Sequence, residues 1–172
     1  MGYIWQMSII AQTPRIIIRE FLAEELETYL KHFTDDRVTL YIPKRSREER
    51  IIIFNNALNQ YQTTNTTGIW GMFDSTTHSF IGSCLLRPFD DKASVLELGY
   101  SLEQKYWGLG LATEMAIAIS SHGFNDSTIN EIVAVTTLAN AGSQRVLQKA
   151  GFKQGDNLMR NGEELAYFKL AR

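Results

Sequence analysis

The first half of the chain contains apolar runs with strand-like spacing and others with helix-like spacing. The run RIIIREF at 15–21 is rich in β-branched residues and predicts a buried strand. Apolar residues then recur every three or four positions from 22 to 33, which predicts an amphipathic helix. Ser46 and Glu49 form a capping-box pattern ahead of a second apolar stripe that extends to residue 61, so we expect a second helix there.

Three strand-like runs follow in the middle of the chain, at 68–73, 79–89 and 94–103. Short polar turns separate these runs, and the arrangement is typical of an antiparallel meander. The stretch LATEMAIAISSHGF at 111–124 has the composition and spacing of a helix and predicts the next element. The middle of the chain should therefore form three paired strands that lead into a helix.

The last third of the chain completes the pattern. Residues 130–140 predict a strand and 141–151 a short helix that ends at a glycine, while Asn161-Gly162 lies between two strand-like runs and predicts a hairpin. The resulting order, β α α β β β α β α β β, predicts an α/β (α+β) domain with a mixed, mostly antiparallel sheet flanked by helices. The connection from strand 94–103 to strand 130–140 is expected to be a right-handed parallel crossover.

Composition and charge exclude several classes of protein. A chain of 172 residues fits one domain, which we predict over 1–172, with residues 1–14 as a loose N-terminal extension. The net charge of −2 excludes a globally basic nucleic-acid-binding protein, and no apolar run is long enough to cross a membrane. The single cysteine, Cys84, excludes an internal disulfide and fits a cytoplasmic location. The 3 histidines lack metal-ligand spacing, so we expect no metal.

The main chemical signal lies in SLEQKYWGLGLATEMAIA, residues 101–118. Gly108 and Gly110 stand just before a predicted helix, whose N-terminus exposes unpaired amides and attracts anions. The dinucleotide fingerprint needs a third glycine where this chain has Thr113, and the nucleoside-triphosphate loop needs Gly-Lys-Ser/Thr, so neither applies. A two-glycine turn is also common in plain connecting loops, and the residues alone leave both interpretations open.

Two longer motifs give the chain a resemblance to a known family. LELGYSLEQKYWGLGLATE resembles the acetyl-coenzyme A loop of the GNAT superfamily of N-acetyltransferases. NAGSQRVLQKAGF (140–152) resembles the asparagine–serine helix of the branch that includes the ribosomal-protein alanine acetyltransferases, the RimJ/RimL type. RIIIREF and FIGSCLL are similar to further family segments, and the motifs occur in the family's order between Arg15 and Leu170. The family usually has Gln or Arg where this chain has Lys105.

The resemblance implies a sheet that is splayed between strands 94–103 and 130–140, with acetyl-coenzyme A bound as cosubstrate in the gap. The pyrophosphate is then expected on residues 108–113, and the pantetheine arm beside the backbone of strand 94–103. As a partner, a second copy of the chain (a homodimer) is implied by the resemblance alone. The residues implied in coenzyme binding are Tyr100, Ser101, Leu102, Lys105, Trp107, Gly108, Leu109, Gly110, Leu111, Ala112, Thr113, Asn140 and Ser143.

Glu97 and Ser143 are the candidate catalytic residues that the resemblance implies. Glu97 is the candidate general base for the incoming amine, although without the family it is better interpreted as a solvated carboxylate on an open sheet face. Ser143 is the candidate donor of a proton to the departing thiolate, and Asn140 also caps its helix. Many family members use a tyrosine from this helix as the acid, and residues 141–151 contain none, so the acid stays open.

Two supporting residues and one cysteine complete the expectations. Trp107 is expected to pack under the loop, and Glu114 to support the first turn of the helix that follows. Cys84 lies outside the motifs, so no acetyl-cysteine intermediate is expected.

The function implied by the resemblance is direct transfer of the acetyl group of acetyl-coenzyme A to a primary amine. The acceptor is either a protein N-terminal α-amine or a small-molecule amine. It is expected in a cleft lined by the first two helices, strand 94–103 and the terminal hairpin. The alternative is a non-catalytic acyl-coenzyme A-binding module that senses the coenzyme or recruits a partner.

Overall fold

The computed structural model of the chain describes residues 7–172. Short 3-10 turns at Ala23–Glu25 and Gln104–Tyr106 precede the first helix and the glycine loop. In chain order, the helices and strands are β1 (Ile9–Gln12), β2 (Ile16–Arg19), α1 (Leu26–His32), α2 (Asp36–Thr39), α3 (Arg47–Gln60), β3 (Gly68–Asp74), β4 (Phe80–Phe89), β5 (Lys92–Leu102), α4 (Leu111–Phe124), β6 (Glu131–Thr137), α5 (Ala141–Lys149), β7 (Lys153–Gln154), β8 (Leu158–Arg160) and β9 (Glu163–Ala171).

Local sequence signals account for where several of these elements begin. In the capping box of α3, the Glu49 amide donates to Ser46 Oγ (3.1 Å), and the Ser46 amide donates to Glu49 Oε2 (2.6 Å). Asn140 Oδ1 accepts a hydrogen bond from the Ser143 amide (3.1 Å) and caps α5. The predicted Asn-Gly turn joins β8 to β9, and both of its residues have positive φ. These short-range patterns therefore predicted the local structure correctly.

The strands form one mixed sheet in the order β1-β2-β3-β4-β5-β6-β9-β7, and β8 also pairs with β9. Strands β5 and β6 are parallel, as the predicted crossover through α4 requires, and the other pairs are antiparallel. The predicted class, a mixed and mostly antiparallel sheet flanked by helices, is confirmed. No helix within residues 7–172 has the length and hydropathy needed to cross a membrane.

The sheet opens between its two parallel strands. β5 pairs with β6 only from Val95 to Glu97. Beyond that point β5 continues along β4 to Leu102, whereas β6 continues along β9 to Thr137. Within the described residues, the β6-side edge of β5 from Gly99 onward has no strand partner. The splay that the resemblance implies is confirmed, and it leaves a strand edge available to a ligand.

Hydrophobic side chains cover both faces of the sheet. On one face, α4 and α5 pack over a cluster that includes Trp70, Met115 and Phe168. On the other face, α1 and α3 pack over an aromatic cluster that includes Phe54. The adjacent residues Ile69 and Trp70 of β3 contribute to different clusters, because successive side chains of a strand point to opposite faces. The first cluster includes Leu96, Leu98 and Leu102, so β5 packs against the α4–α5 layer beside the site where the sheet opens.

One expectation about the chain needs correction, and two short elements, α2 and β7, were not predicted. Residues 9–12 are not a loose extension, because they form β1 and pair antiparallel with β2, with Gln12 opposite Ile17. The part of that expectation that concerns residues 1–6 lies outside the described residues. Helix α2 was not predicted, since its four residues, Asp36–Thr39, are too few to show a period. The assignment of 1–172 to one domain stays a prediction.

Candidate active site

The glycine loop has an unusual backbone conformation. Gly108 and Gly110 have φ values of 73° and 80°, in the left-handed region that side chains other than glycine adopt at a cost. Apart from Gly108 and its two chain neighbours, no described residue has an atom within 4 Å of the position that a Cβ would take at Gly108, so the backbone conformation, and not lack of space, requires glycine there. α4 begins at Leu111, directly after the loop. Its unpaired N-terminal amides therefore lie where an anion could bind.

A cavity of about 670 Å³ lies beside the parted end of β5. Its wall is formed by that strand end, the glycine loop, the first turns of α4 and α5, and residues 37–42. Neither the predicted base Glu97 nor two predicted coenzyme contacts, Lys105 and Leu109, are part of the wall. The predicted coenzyme-binding residues that do form it are Tyr100, Ser101, Leu102, Trp107, Gly108, Gly110, Leu111, Ala112, Thr113, Asn140 and Ser143.

Lys105 and Leu109 have other partners. The Nζ atom of Lys105 lies 3.2 Å from Glu103 Oε2, and the side chain is largely exposed. A contact between Lys105 and the pyrophosphate therefore stays a prediction. The carbonyl of Leu109 accepts a hydrogen bond from Arg15 Nη1 at 2.8 Å, on the side of the loop away from the cavity.

Trp107 does not pack under the loop as expected. Its side chain is about half exposed and forms part of the cavity wall. The indole Nε1 donates to the carbonyl of Leu102 at 2.9 Å, which ties the loop to the end of β5. The hydrogen bond gives a physical reason for the difference, because an indole N–H needs an acceptor and this one finds it at the strand end.

Tyr100 and Ser143 meet across the gap in the sheet. Tyr100 Oη lies 2.9 Å from Ser143 Oγ, so a hydroxyl from β5 and one from α5 share a hydrogen bond at the cavity wall. Burial raises the pKa of Tyr100 to about 12, even though the hydrogen bond with Ser143 acts in the opposite direction. The α5 helix lacks a tyrosine, but the structure places one beside it. Sequence reasoning assigned Tyr100 only to coenzyme binding.

Glu97 is not a solvated carboxylate. Its side chain is only 8% exposed. Arg160 Nη1 and Nη2 donate to Glu97 Oε1 and Oε2 at 2.8 and 3.1 Å, and Arg87 Nη2 donates to Oε1 at 3.0 Å. Burial by itself raises the pKa of Glu97, but the hydrogen bonds and charges of both arginines outweigh it, so the pKa lies below its ordinary value. A carboxylate held in this way is a poor proton acceptor.

Comparison with known proteins identifies the family. A family model described as an acetyltransferase (GNAT) domain matches residues 15–153. The chain belongs to the GNAT acetyltransferase family. It is an acetyl-coenzyme A-dependent N-acetyltransferase, as the motifs predicted, and the family does not favour the alternative of a non-catalytic binding module.

Relatives and solved structures agree with this assignment. The chain is 30% identical over 149 residues to the uncharacterised N-acetyltransferase YoaA of Bacillus subtilis, covering 84% of this chain and 83% of that protein. The fold resembles a ribosomal-protein-S5-alanine acetyltransferase from Vibrio fischeri, with a TM-score of 0.78, 18% identity and coverage of 93% and 94%. It also resembles RimL, a ribosomal L7/L12 alpha-N-protein acetyltransferase in complex with coenzyme A, with a TM-score of 0.80, 14% identity and coverage of 95% and 98%.

The geometry of this GNAT acetyltransferase fits acetyl-coenzyme A as cosubstrate. The left-handed glycines leave the loop backbone open to close approach, and the unpaired edge of β5 can hydrogen-bond an amide-containing arm. Arg145 and Lys149 on α5 add positive charge to the wall, which suits a ligand with several phosphates. No group of three or more His, Cys, Asp or Glu side chains within residues 7–172 is arranged to hold a metal ion.

His32 is a part of the acetyltransferase site that sequence reasoning missed. It is 3% exposed at the end of α1, and its Nε2 lies 2.8 Å from the hydroxyl of Ser101 on the cavity wall. Its Nδ1 is buried without a hydrogen-bond partner among the described residues. Burial, and secondarily the charge of Arg50, lower the pKa of His32 to about 4, so the ring is neutral at physiological pH. The sequence held no signal for this contact, because 69 positions separate the two residues.

Proposed function

We propose that the protein acetylates acceptors that carry one primary amine beside apolar or peptide groups. Its preferred acceptor is a protein N-terminal α-amine. The observation that carries the proposal is the charge of the cavity wall. Among the described residues that line the cavity there is no Asp or Glu, while Arg37, Arg145 and Lys149 supply three positive charges. We assign the acceptor to the end of the cavity formed by residues 37–42, which apart from Arg37 is largely apolar, with Val38 and Leu40 in its wall.

The charge of the wall separates the two acceptor classes. Aminoglycosides and polyamines carry several ammonium groups, and enzymes that hold them need carboxylates to offset the desolvation of those groups. With Arg145 and Lys149 matched to the phosphates of the coenzyme, the described wall offers no carboxylate to offset these ammonium groups, and Arg37 adds like-charge repulsion. A peptide N-terminus brings one amine, an adjoining apolar side chain and amide groups, which match Leu40, Tyr41 and Ile42. The named activity of RimL on a protein α-amine supports the same class.

The pKa of the acceptor decides how much help the enzyme must give. A lysine amine, with a pKa near ~10.4, is almost wholly protonated at neutral pH, whereas an α-amine at about 7.7–8.0 is partly free. An α-amine can therefore bind as the free base and lose its remaining proton to water after it attacks. The role of general base for Glu97 stays a prediction, and the two arginines on its carboxylate do not favour it.

Residues on both sides of the gap in the sheet bind the coenzyme and protonate the leaving thiolate in this proposal. The amides of residues 109–112 hold the pyrophosphate, and the free edge of β5 near Tyr100 and Ser101 orients the thioester. As the new N–C bond forms and the C–S bond breaks, the amine loses one proton and the leaving thiolate gains one. Ser143 Oγ donates that proton and takes one from Tyr100 Oη, which is protonated at neutral pH, through their 2.9 Å hydrogen bond; water, which received the proton of the amine, restores the proton on Tyr100.

An intact-mass screen with acetyl-coenzyme A tests the acceptor class. The panel contains peptides with a free α-amine and an apolar first residue, the same peptides with a blocked N-terminus and one lysine, spermidine and an aminoglycoside. We expect acetylation of the free α-amine peptides at least tenfold faster than of the polycations. Faster turnover of spermidine or the aminoglycoside would refute the proposal.

A negative charge introduced at the acceptor end by mutation tests the same proposal. Leu40 is 65% exposed, so Leu40→Asp should fold normally. The new carboxylate should raise the KM of apolar peptides and lower that of spermidine, with no change in the KM of acetyl-coenzyme A. Equal effects on all acceptors would show that this wall does not contact them.

A further inference from the structure

The turn between β1 and β2 contacts the glycine loop from outside the cavity. Arg15 Nη1 donates to the Leu109 carbonyl at 2.8 Å, and Arg15 Nε and Nη2 each lie 2.7 Å from Glu114 Oε2. The Arg15 amide (3.2 Å) and Thr13 Oγ1 (2.5 Å) donate to Glu114 Oε1. We call these four residues, Thr13, Arg15, Leu109 and Glu114, the loop clamp. It connects the N-terminal strands to the loop and to the first turn of α4.

The clamp acts on one peptide group of the loop. The carbonyl of Leu109 and the amide of Gly110 belong to the same trans peptide plane, so they point in opposite directions. Leu109 and Arg15 line a separate shallow pocket of about 200 Å³, whereas Gly110 lines the main cavity. A carbonyl held by Arg15 therefore directs the Gly110 amide toward the cavity. This is the direction that an amide needs to meet an anion bound there.

The loop needs such an external restraint because of its glycines. Residues 108 and 110 flank Leu109, and glycine has more accessible backbone conformations than any other residue. The peptide between them can rotate at little steric cost unless something holds it. A site that is ordered before the ligand arrives binds it more tightly, because the ordering cost is not deducted from the binding free energy.

The charges in the clamp explain why an arginine occupies position 15. The Glu114 carboxylate lies in the first turn of α4, where it would repel a phosphate bound at the same helix terminus. Arg15 neutralises Glu114 and still has an N–H free for the Leu109 carbonyl. A planar guanidinium can make both contacts at fixed angles, whereas an ammonium group is a point charge without that geometry.

We propose that Arg15 is a positioning residue for the coenzyme, acting through the Leu109 carbonyl to orient the Gly110 amide toward the pyrophosphate. The proposal rests on the proposed function of the glycine loop as the pyrophosphate cradle. It also gives the N-terminal strands a functional role, because the turn between β1 and β2 carries the clamp.

The test compares coenzyme binding and turnover in two variants of Arg15. Arg15→Ala should raise the Kd of coenzyme A in calorimetry and the KM of acetyl-coenzyme A by about five- to tenfold, less than the loss of a charge-assisted hydrogen bond to the ligand itself, because Arg15 acts on the coenzyme only through the loop. Arg15→Lys retains the charge that Glu114 needs but not the forked geometry, and we expect the same Kd and KM to increase at least threefold. In both variants kcat at saturating coenzyme and the KM of the amine should stay unchanged.

Arg19→Ala is the matched control. Arg19 lies on the adjoining strand β2 and pairs with Glu25 at 2.7 Å, and none of its hydrogen bonds within residues 7–172 reaches the loop. Its loss should lower the melting temperature and leave coenzyme affinity as in the wild type. A Kd that increases equally in Arg19→Ala and Arg15→Ala would overturn the proposal, because a general loss of stability would then explain both.

A second pair of variants separates failure of the clamp from failure of the cradle. Gly108→Asp and its uncharged isostere Gly108→Asn share the strain of a side chain at a φ of 73°, and beyond the chain neighbours the added Cβ meets no described atom within 4 Å, so the loss in Gly108→Asp beyond that in Gly108→Asn measures repulsion of the bound anion. An unchanged Kd in both Arg15 variants, together with a much larger loss in Gly108→Asp than in Gly108→Asn, would refute the clamp alone. An equal Kd in Gly108→Asp and Gly108→Asn would refute the cradle, and with it the clamp. If Arg15→Ala does not fold, Arg15→Lys decides, because it retains the ion pair.

Discussion

Glu97→Gln distinguishes a structural carboxylate from a catalytic one. The substitution removes one negative charge and keeps the shape of the side chain. Arg160, on β8 of the last hairpin, and Arg87, on β4, lose the group that joins them to β5. If Glu97 holds the sheet together, the variant should be less stable but still active. If Glu97 is the general base, the variant should be stable and nearly inactive.

The size of the stability loss follows from the contacts. Three hydrogen bonds from charged donors end on Glu97, and bonds of this kind contribute about 1.5–3 kcal/mol each. In the variant, the amide oxygen of the new side chain still accepts from one arginine. The side chains of Arg87 and Arg160 are 55% and 28% exposed, so their unpaired charges can reach water. The loss is therefore below the ~3–5 kcal/mol of a fully buried pair, and we expect about 2 kcal/mol. For a chain of this size this lowers Tm by about 4–8 °C.

Urea denaturation and steady-state kinetics measure the two outcomes on the same variant. We expect the loss of about 2 kcal/mol at pH 7 and a kcat within about threefold of the wild type. Arg87→Ala is the control, because it removes the more exposed partner and leaves the two bonds from Arg160. Removal of a general base lowers kcat by about 10²–10⁴. A loss of that size with an unchanged Tm would refute the structural role and establish Glu97 as the base.

The pH dependence gives the same experiment a second readout. The pKa of Glu97 in the folded protein lies below its ordinary value of 4.5, so its contribution to the free energy of unfolding is complete above pH 4.5. It is lost as the pH falls through the folded pKa, because protonation then breaks the ion pairs. Wild type and Glu97→Gln should therefore converge in stability in acid. A stability difference that stayed constant down to strongly acidic pH would contradict this assignment.

Three further predictions concern other buried groups. Tyr100→Phe and Ser143→Ala should each lower kcat by about tenfold or more, with little change in the KM of acetyl-coenzyme A. Because the two hydroxyls act as one pair, the double variant should lower kcat by less than the product of the two single effects. Additive losses in kinetic assays would contradict the pair. The pKa of His32 is lowered from 6.5 to about 4, so the free energy of unfolding of the wild type should fall by about 3 kcal/mol as the pH drops from 6.5 toward 4. In urea titrations His32→Gln should show a smaller decrease over this pH range. An equal decrease in both proteins would refute the role of His32. Cys84 is buried, and burial raises the pKa of its thiol, so Cys84→Ala should keep full turnover. Loss of turnover with intact coenzyme binding would contradict direct transfer.

Much of the fold and part of the site could be predicted from short stretches of sequence. The Ser46–Glu49 capping box, the Asn140 cap and the Asn-Gly turn are patterns whose partners lie within three positions of each other. The glycine loop belongs to the same class, because a positive φ and a following helix are local properties. Such features can be predicted because the atoms that decide them are held together by the covalent chain.

Errors arose where a distant part of the chain supplied the partner. Strand alternation correctly placed Glu97 on one face of β5, but the ion pair that buries it comes from Arg160, 63 positions away. The same holds for the 101 positions between Thr13 and Glu114. Residues 9–12 were missed for another reason: β1 has only four residues, too few to show a period, although its partner β2 is close in the chain. A strand's period shows which way a side chain points and not which strand will lie beside it.

The sequence by itself determined the order of the longer elements, the helix caps, the left-handed loop ahead of α4 and, through its motifs, the family. The tertiary structure alone decided which side chains meet: Tyr100 with Ser143, His32 with Ser101, and Arg15 with the Leu109 carbonyl. The physical reason is the range of the interactions. Dihedral preferences and caps act over a few residues, whereas these contacts depend on the order and register in which distant strands pair and on where the sheet parts.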